Sequence, residues 1–433
     1  MRQLLSKIAK AILAAALVIL TVPMVWAASL PLVKPEQVGL SPERLDRVGQ
    51  LLKKEIEQGR LPGAVALIAR KGQIAYLESF GFRDKASGAP MTNDAIFRIY
   101  SMTKPFTSVA AMMLVEEGKI VLTDPISKFL PQLGKLEVSV QKFDPATGTV
   151  TYSTVPAERE ITVQDLLRHT SGFTYGSLAT NARVKELYEK VGVDAVDITN
   201  ADLIERLAKV PLVHQPGTAF EYSHSTDVLG RLIEVVADTT LAKFFEERIF
   251  APLKMTDSGF YVPKENLDRL AQPLPTDPAT GKPITLLDVT SPPKYEAGGQ
   301  GAVSTAGDYA RFCQMLLNGG HLDGVRLLSR TTVNLMAADH LGKIVDAAPM
   351  PSQLLLGTSG YTFGLGFAIR REAGIAGVPG SAGEYTWGGF AGTYFWIDPK
   401  EELIGILMLQ APGPARVQYR KLFRQLVYQA IVD

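Results

Sequence analysis

Ser101 and Lys104 stand at the two ends of Ser101-Met102-Thr103-Lys104, at the head of a long apolar run. A serine hydroxyl is a weak nucleophile until a base takes its proton. A lysine shielded from water can be that base. From Phe106 to Val115 the chain is small and apolar, the composition of a buried helix, and Pro105 suits a first helical turn. A helix opening at Ser101 places Lys104 one turn along on the same face. It also aims unpaired N–H groups at charge developing beside the serine. The tetrad alone equally fits a serine N-cap followed by a solvated lysine.

Two later stretches carry complementary chemistry. Phe220-Glu221-Tyr222-Ser223-His224-Ser225 follows a Pro216-Gly217 turn, and Tyr222 is expected where a strand gives way to a helix. A phenol beside an ammonium can share its proton and so take one from a serine. A hydrogen-bonded core tyrosine fits the same pattern. Trp387-Gly388-Gly389-Phe390-Ala391-Gly392 lies between two predicted C-terminal strands. Glycines at a strand end let a substrate approach closely and leave N–H groups free. Such an N–H, with that of Ser101, would make an oxyanion hole, although a simple Gly-rich hairpin loop reads the same way.

The elements that must hold these residues are legible in outline. Ser41 and Pro42 open a helix with Leu45, Val48, Leu51, Leu52 and Ile56 on its apolar face, ended by Gly59. Two strands follow, 64–69 and 74–80, joined through Arg70-Lys71-Gly72-Gln73. Gly118 closes the serine helix, Leu122-Thr123-Asp124-Pro125 opens a short helix stopped by Pro131, and 135–160 reads as a polar hairpin turning at Asp144-Pro145-Ala146-Thr147-Gly148. Thr162 caps Val163 to Arg168, and residues 196–210 are predicted as an amphipathic helix. Residues 268–297 and 345–360 look like loops, the first passing over the site. Strands at 385–387, 393–397 and 403–409 and a helix at 415–432 finish the chain.

A helix, a hairpin and then the serine helix argue against a βαβ series. The expected fold is mixed α/β, of the α+β type. Its antiparallel sheet is built from N- and C-terminal strands and flanked by helices, with a mainly helical block inserted between. Residues 28–98 and 295–433 would form the sheet domain and 99–294 the helical one, with the active site at their junction. Residues 1–27 read as a signal peptide. Arg2, Lys7 and Lys10 give a positive n-region, Ala11 to Leu20 an apolar stretch, and Val25-Trp26-Ala27 a cleavage site, although an uncleaved anchor fits too. The expected location is periplasmic or secreted, with no membrane span after processing.

With 433 residues, 46% hydrophobic and 21% charged, there is ample material for a core. A net charge of +1 gives no reason to expect nucleic acid as a partner. Cys313 is the single cysteine, so no internal disulfide forms, and its amphipathic surroundings make it a small core residue. The five histidines, His169, His214, His224, His321 and His340, show no metal-ligand spacing. No Gly-x-Ser-x-Gly elbow accompanies them, which argues against a Ser-His-Asp hydrolase. Neither cofactor nor metal is expected.

Taken together, the ordered set Ser-x-x-Lys, Tyr-Ser-x and Trp-Gly-Gly resembles the serine β-lactamase and penicillin-binding superfamily. The likeness is strongest to the class C-like branch that contains the family VIII carboxylesterases. Further matches are Leu122-Thr123-Asp124-Pro125-Ile126, Asp165 to Gly172, Tyr222-Ser223 with Val228-Leu229-Gly230, Gly298 to Thr305, and Gly392 to Pro399. The resemblance implies Ser101 as acylated nucleophile and Lys104 and Tyr222 as shared base and acid. It also implies an oxyanion hole from the N–H groups of Ser101 and Phe390, and a substrate-binding edge of Trp387, Gly388 and Gly389.

Two departures stand out from the lactamase pattern. His224 takes the place of an asparagine, which would make it a substrate-side residue, and Trp387 replaces a lysine facing the substrate carboxylate. Losing that cation favours a neutral ester over a β-lactam or peptide C-terminus. The expected partner is a small-molecule ester or amide, and the expected activity an exported carboxylesterase on short or medium acyl esters. A β-lactamase, a D-alanyl-D-alanine carboxypeptidase or D-amino-acid amidase, an acyltransferase, and a non-catalytic cell-wall binding protein are the alternatives.

Overall fold

The computed structural model describes residues 30–347 and 351–433. The expected signal peptide lies outside the described residues. Ser41 caps α1 (Pro42–Glu57), its Oγ accepting the Arg44 N–H, with Leu45, Val48 and Leu52 buried. Leu51 and Ile56, expected on the same face, are only half-buried. The hairpin β1 (Gly63–Arg70) and β2 (Gln73–Asp84) turns at Lys71 and Gly72, both at positive φ, the backbone that matches strand twist. A short β3 (Ala89–Pro90) pairs with β2. The remaining strands come from the far end of the chain: β4 (Tyr361–Phe363), β5 (Ala368–Arg370), β6 (Tyr385–Gly388), β7 (Tyr394–Asp398) and β8 (Leu403–Leu409).

These form one antiparallel sheet in the order β4-β5-β6-β7-β8-β1-β2-β3, with β8 against β1 so that Leu67 faces Ile406. The expected sheet of N- and C-terminal strands is present. The four principal helices after α1 are α2 (Lys104–Glu116), α3 (Ser225–Ala237), α4 (Ala306–Leu317) and α5 (Arg416–Tyr428). Successive residues of β7 point to opposite faces. Phe395 packs on Tyr309 of α4 while Trp396 packs on Phe423 of α5, so the two helices cover opposite sides. Gly405 lies opposite Trp396 in the register, and a Cβ there would fall 2.1 Å from the indole. Cys313 is buried in α4, where oxidants do not reach it.

Several local expectations change. The hairpin Glu137–Asp144 and Thr149–Pro156 exists, but it exposes Val140, Phe143, Val150, Tyr152 and Val155, so it is not uniformly polar. The helix expected over 196–210 is confined to Asn200–Leu207 by the Thr199 capping box. A helix at Ala182–Val191 was not anticipated, and 345–360 includes the short helices Gly342–Ala347 and Pro351–Leu356 in its neighbourhood. No helix among the described residues is long and apolar enough to cross a membrane.

Thr162 caps Val163–Leu167, and Asp165 returns the bond to the Thr162 N–H. The same wholly buried carboxylate accepts from Arg159, Arg168 and Thr170, which fixes the turn at His169-Thr170-Ser171-Gly172 beside the site. Burial works against charge on Asp165, but these donors outweigh it and hold its carboxyl far below the usual range. A depressed folded-state value stabilises the protein above the unfolded carboxyl's range and is lost as pH falls through about 4 and below. Asp165→Asn is expected to lower stability at pH 7 by roughly 3 kcal/mol. Denaturant titrations should also show a shallower decline of stability from pH 7 to 3 than the parent shows. An unchanged acid slope would remove Asp165 from this account.

Candidate active site

Tyr100–Thr103 form a 3-10 turn that runs directly into α2. Tyr100 adopts φ 45°, an uncommon conformation for a bulky residue. Its neighbours hold it there. The hydroxyl accepts the Leu287 N–H at 2.9 Å, Thr103 Oγ1 donates to its carbonyl at 2.6 Å, and its ring meets Phe390 edge-on at 5.5 Å. Ser101 thereby lines a cavity of about 610 Å³, a volume suited to a small organic ligand. Leu286 and Leu287 also line it, so the irregular segment 268–297 does pass over the serine.

Lys104 is fully buried, which rules out the solvated first-turn lysine. Its Nζ donates to the Gly299 carbonyl at 2.8 Å and the Tyr175 hydroxyl at 3.1 Å, and makes a long 3.4 Å contact to Ser101 Oγ. It also sits 4.5 Å from the centre of the Tyr222 ring. The face of an aromatic ring stabilises a desolvated cation. Ser101 and Tyr222 therefore line the cavity together, with Lys104 buried behind them and in contact with both.

Tyr222 lies in irregular chain just before α3, not at a strand end. Trp387 Nε1 donates to its hydroxyl at 3.3 Å. Below it, the buried His169 ring lies 5.0 Å away and hydrogen-bonds Ser223 and Thr226. Burial, reinforced by the charge of Lys104, pushes the His169 pKa well below the ordinary imidazole value. His169 is thus a neutral support for Tyr222.

The opposite wall is the end of β6. The Gly389 N–H bonds the Thr393 carbonyl at 2.8 Å, and Thr393 Oγ1 donates to the Ile99 carbonyl, two residues before Ser101. From α5, buried Arg420 reaches the Gly389 carbonyl at 2.5 Å and the Leu355 carbonyl at 3.3 Å. No room is left for side chains here. A Cβ on Gly389 would lie 2.4 Å from the Ile99 carbonyl oxygen, and one on Gly388 2.9 Å from the Arg420 guanidinium. Among the described residues, no protein acceptor takes the backbone N–H of Ser101 or of Phe390. Both are available to a developing oxyanion, while the Phe390 side chain stands half-exposed at the mouth.

His224 departs from its expected place on the substrate side. It is buried and absent from the cavity wall, with its ring nitrogens bonded to Asp194 and Asp227. Two carboxylates hold the imidazole in the interior. Conversely, no sequence pattern points to Tyr175 or to the lysine-binding role of Gly299. Both act through atoms brought close by long-range packing, and Tyr175 follows the His169-Thr170-Ser171-Gly172 turn without a motif of its own. Burial raises the Tyr175 pKa well above the ordinary phenol value, so it meets Lys104 as a neutral hydroxyl.

The chain belongs to the Beta-lactamase family, which it matches over residues 48–429. It is 37% identical over 368 residues to an uncharacterized protein of Mycobacterium tuberculosis, covering 83% of this chain and 88% of the relative. Esterase EstB of Burkholderia gladioli is 29% identical over 373 residues, 81% of this chain and 86% of that one. The solved structure of EstCE1, a hydrolase with promiscuous acyltransferase activity, superposes with a TM-score of 0.73 at 27% identity. That match covers 89% of this chain and 99% of EstCE1. Fold, family and relatives agree on a serine hydrolase of the β-lactamase fold.

The Gly389 contacts make the wall sensitive to a single methyl group. Gly389→Ala is expected to push β6 away from Ile99 and lower kcat/KM on an activated ester by about 10²-fold, since small misplacements of a site are costly. Steady-state kinetics on the folded variant would show it. Parent-like kinetics would mean the close approach is dispensable.

Proposed function

We propose that this protein is a carboxylesterase for short or medium acyl esters, working through an acyl-enzyme on Ser101. The observation that carries the reading is the buried Lys104 ammonium group 3.4 Å from Ser101 Oγ, backed by the Tyr222 ring. The reactive form is the one in which the Lys104–Tyr222 pair has given one proton to solvent. As Oγ bonds the ester carbonyl carbon, its proton passes to that deprotonated pair. The carbonyl oxygen, now negative, rests on the N–H groups of Ser101 and Phe390. Collapse breaks the bond to the alcohol oxygen, which leaves with the proton. Water then repeats the sequence on the acyl-serine and releases the acid.

Preference for an ester is supported by Trp387, whose buried indole stands where lactam- and peptide-processing members of the superfamily would place a cation. Short acyl groups fit the cavity volume. Action outside the cytoplasm is supported by the basic start and apolar run of residues 1–27.

Side-by-side rates on p-nitrophenyl butyrate and nitrocefin test this reading. Ester cleavage is expected with a burst of nitrophenol, with lactam opening at least about 10²-fold slower. Ser101→Ala should lower ester turnover by roughly 10³-fold or more, and Tyr222→Phe by about 10²-fold or more. Wild-type rates in Ser101→Ala would overturn the mechanism. Faster nitrocefin than ester turnover would make the protein a β-lactamase with an unusual wall.

A further inference from the structure

We propose that Asp227 and His224 are positioning residues for Lys104: a buried carboxylate–imidazolium pair that fixes the lysine's carbonyl acceptor and balances the charge behind its ammonium group. The inference rests on the reading of Lys104 as the base for Ser101. A single residue, Gly299, links the two charges through the two peptide groups that flank its α-carbon. Asp227 Oδ1 accepts the Gly299 N–H at 2.9 Å, and the carbonyl of Gly299 accepts Lys104 Nζ at 2.8 Å. Gly299 has no room for a side chain, because a Cβ would fall 2.6 Å from Asp227 Oδ2. The carboxylate therefore sits directly behind the acceptor that holds the lysine.

The other face of Asp227 meets His224. Its Nδ1 lies 3.1 Å from Asp227 Oδ2 and its Nε2 2.7 Å from Asp194 Oδ1. A neutral imidazole has one N–H, so only the imidazolium can donate to both carboxylates. Burial opposes charge on this ring, yet the two carboxylates outweigh it and set its pKa above the ordinary value. The side chain of Asp194 is 45% exposed, which connects the buried pair to solvent.

The other titratable groups facing this cluster are phenols and one imidazole. Buried His169, which feels both Lys104 and Asp227, is kept neutral by burial, and Tyr222 lies against Lys104. Tyr175 packs on the His224 ring at 4.4 Å, Tyr188 lies 6.5 Å from it, and Tyr295 faces Asp227. Burial keeps all three neutral by raising their pKa values. The charges are then two carboxylates, Asp194 and Asp227, against two cations, His224 and Lys104. Asp227 attracts the ammonium group and so opposes its use as a base, and the imidazolium offsets that attraction.

Opposite signs follow for the two partners. Removing the His224 charge leaves Asp227 unbalanced and strengthens the hold on the lysine's proton. Removing the Asp227 charge weakens it. The experiment is the pH dependence of kcat/KM on p-nitrophenyl butyrate for the parent, His224→Gln and Asp227→Asn, with burst amplitude counting functional sites and thermal melts checking the fold. The acid limb is expected to move up by about 0.5–1 pH unit in His224→Gln and down by a similar amount in Asp227→Asn.

A role in packing alone would lower rates and leave the limb in place. Limbs that stay put in folded variants, or that both move the same way, would overturn the proposal. Should Asp227→Asn not fold, His224→Gln decides alone. Ser101→Ala is run alongside. If it keeps its burst, the acyl-enzyme reading itself fails, whereas loss of that burst with unmoved limbs defeats only the positioning roles.

Discussion

A charged amine buried away from water is costly unless its surroundings replace the lost solvation. Lys104 meets that constraint through a carbonyl, a phenol, a hydroxyl and an aromatic face. No carboxylate among the described residues touches it directly, so the amine is solvated by the protein without being locked into an ion pair. Each of its partners comes from a different part of the chain: the 3-10 turn, the segment after His169, the entry to α3, and the glycine loop before α4. The lysine is the hub around which those segments are registered, and the serine hydroxyl is one spoke.

The facing wall answers a different requirement, that of backbone donors held still at the edge of a cavity. The sheet supplies stiffness, because β6 is paired on both sides and α5 clamps its end through Arg420. Glycines supply closeness, because Gly388 and Gly389 let the edge press against Ile99 and the arginine. Trp387 joins the two halves by donating to Tyr222. Trp387 is thus a structural tie across the site.

What could be read from sequence was local or patterned. Ser41, Thr162, the Asp144 to Gly148 turn and the apolar runs of β1 and β8 each carry their signal within a few residues, and so did Ser101 and Lys104. The short strands β4 and β5 were hidden because each has three residues, with Gly360, Gly364 and Gly366 flanking them. The helix at Ala182–Val191 does carry its signal, an Asn181 cap and a stripe of Val184, Leu187, Tyr188 and Val191 at helical spacing, and it is simply absent from the expected elements. His224 was misplaced because its pattern position sits beside Tyr222, while its partner Asp194 is distant in sequence. Hydrogen bonds of that span leave no trace in spacing.

The bond from Thr393 to Ile99 joins residues 294 positions apart. Ribosomes therefore complete Ser101 and Lys104 long before they complete the glycine wall opposite and the helix that clamps it. A nascent chain halted before Arg420 contains Ser101 and Lys104 but lacks the side chain that holds the Gly389 carbonyl. The wall facing Ser101 is complete in sequence only at the last stage of translation, when the C-terminal strands that pair with β1 and the helix α5 have been added.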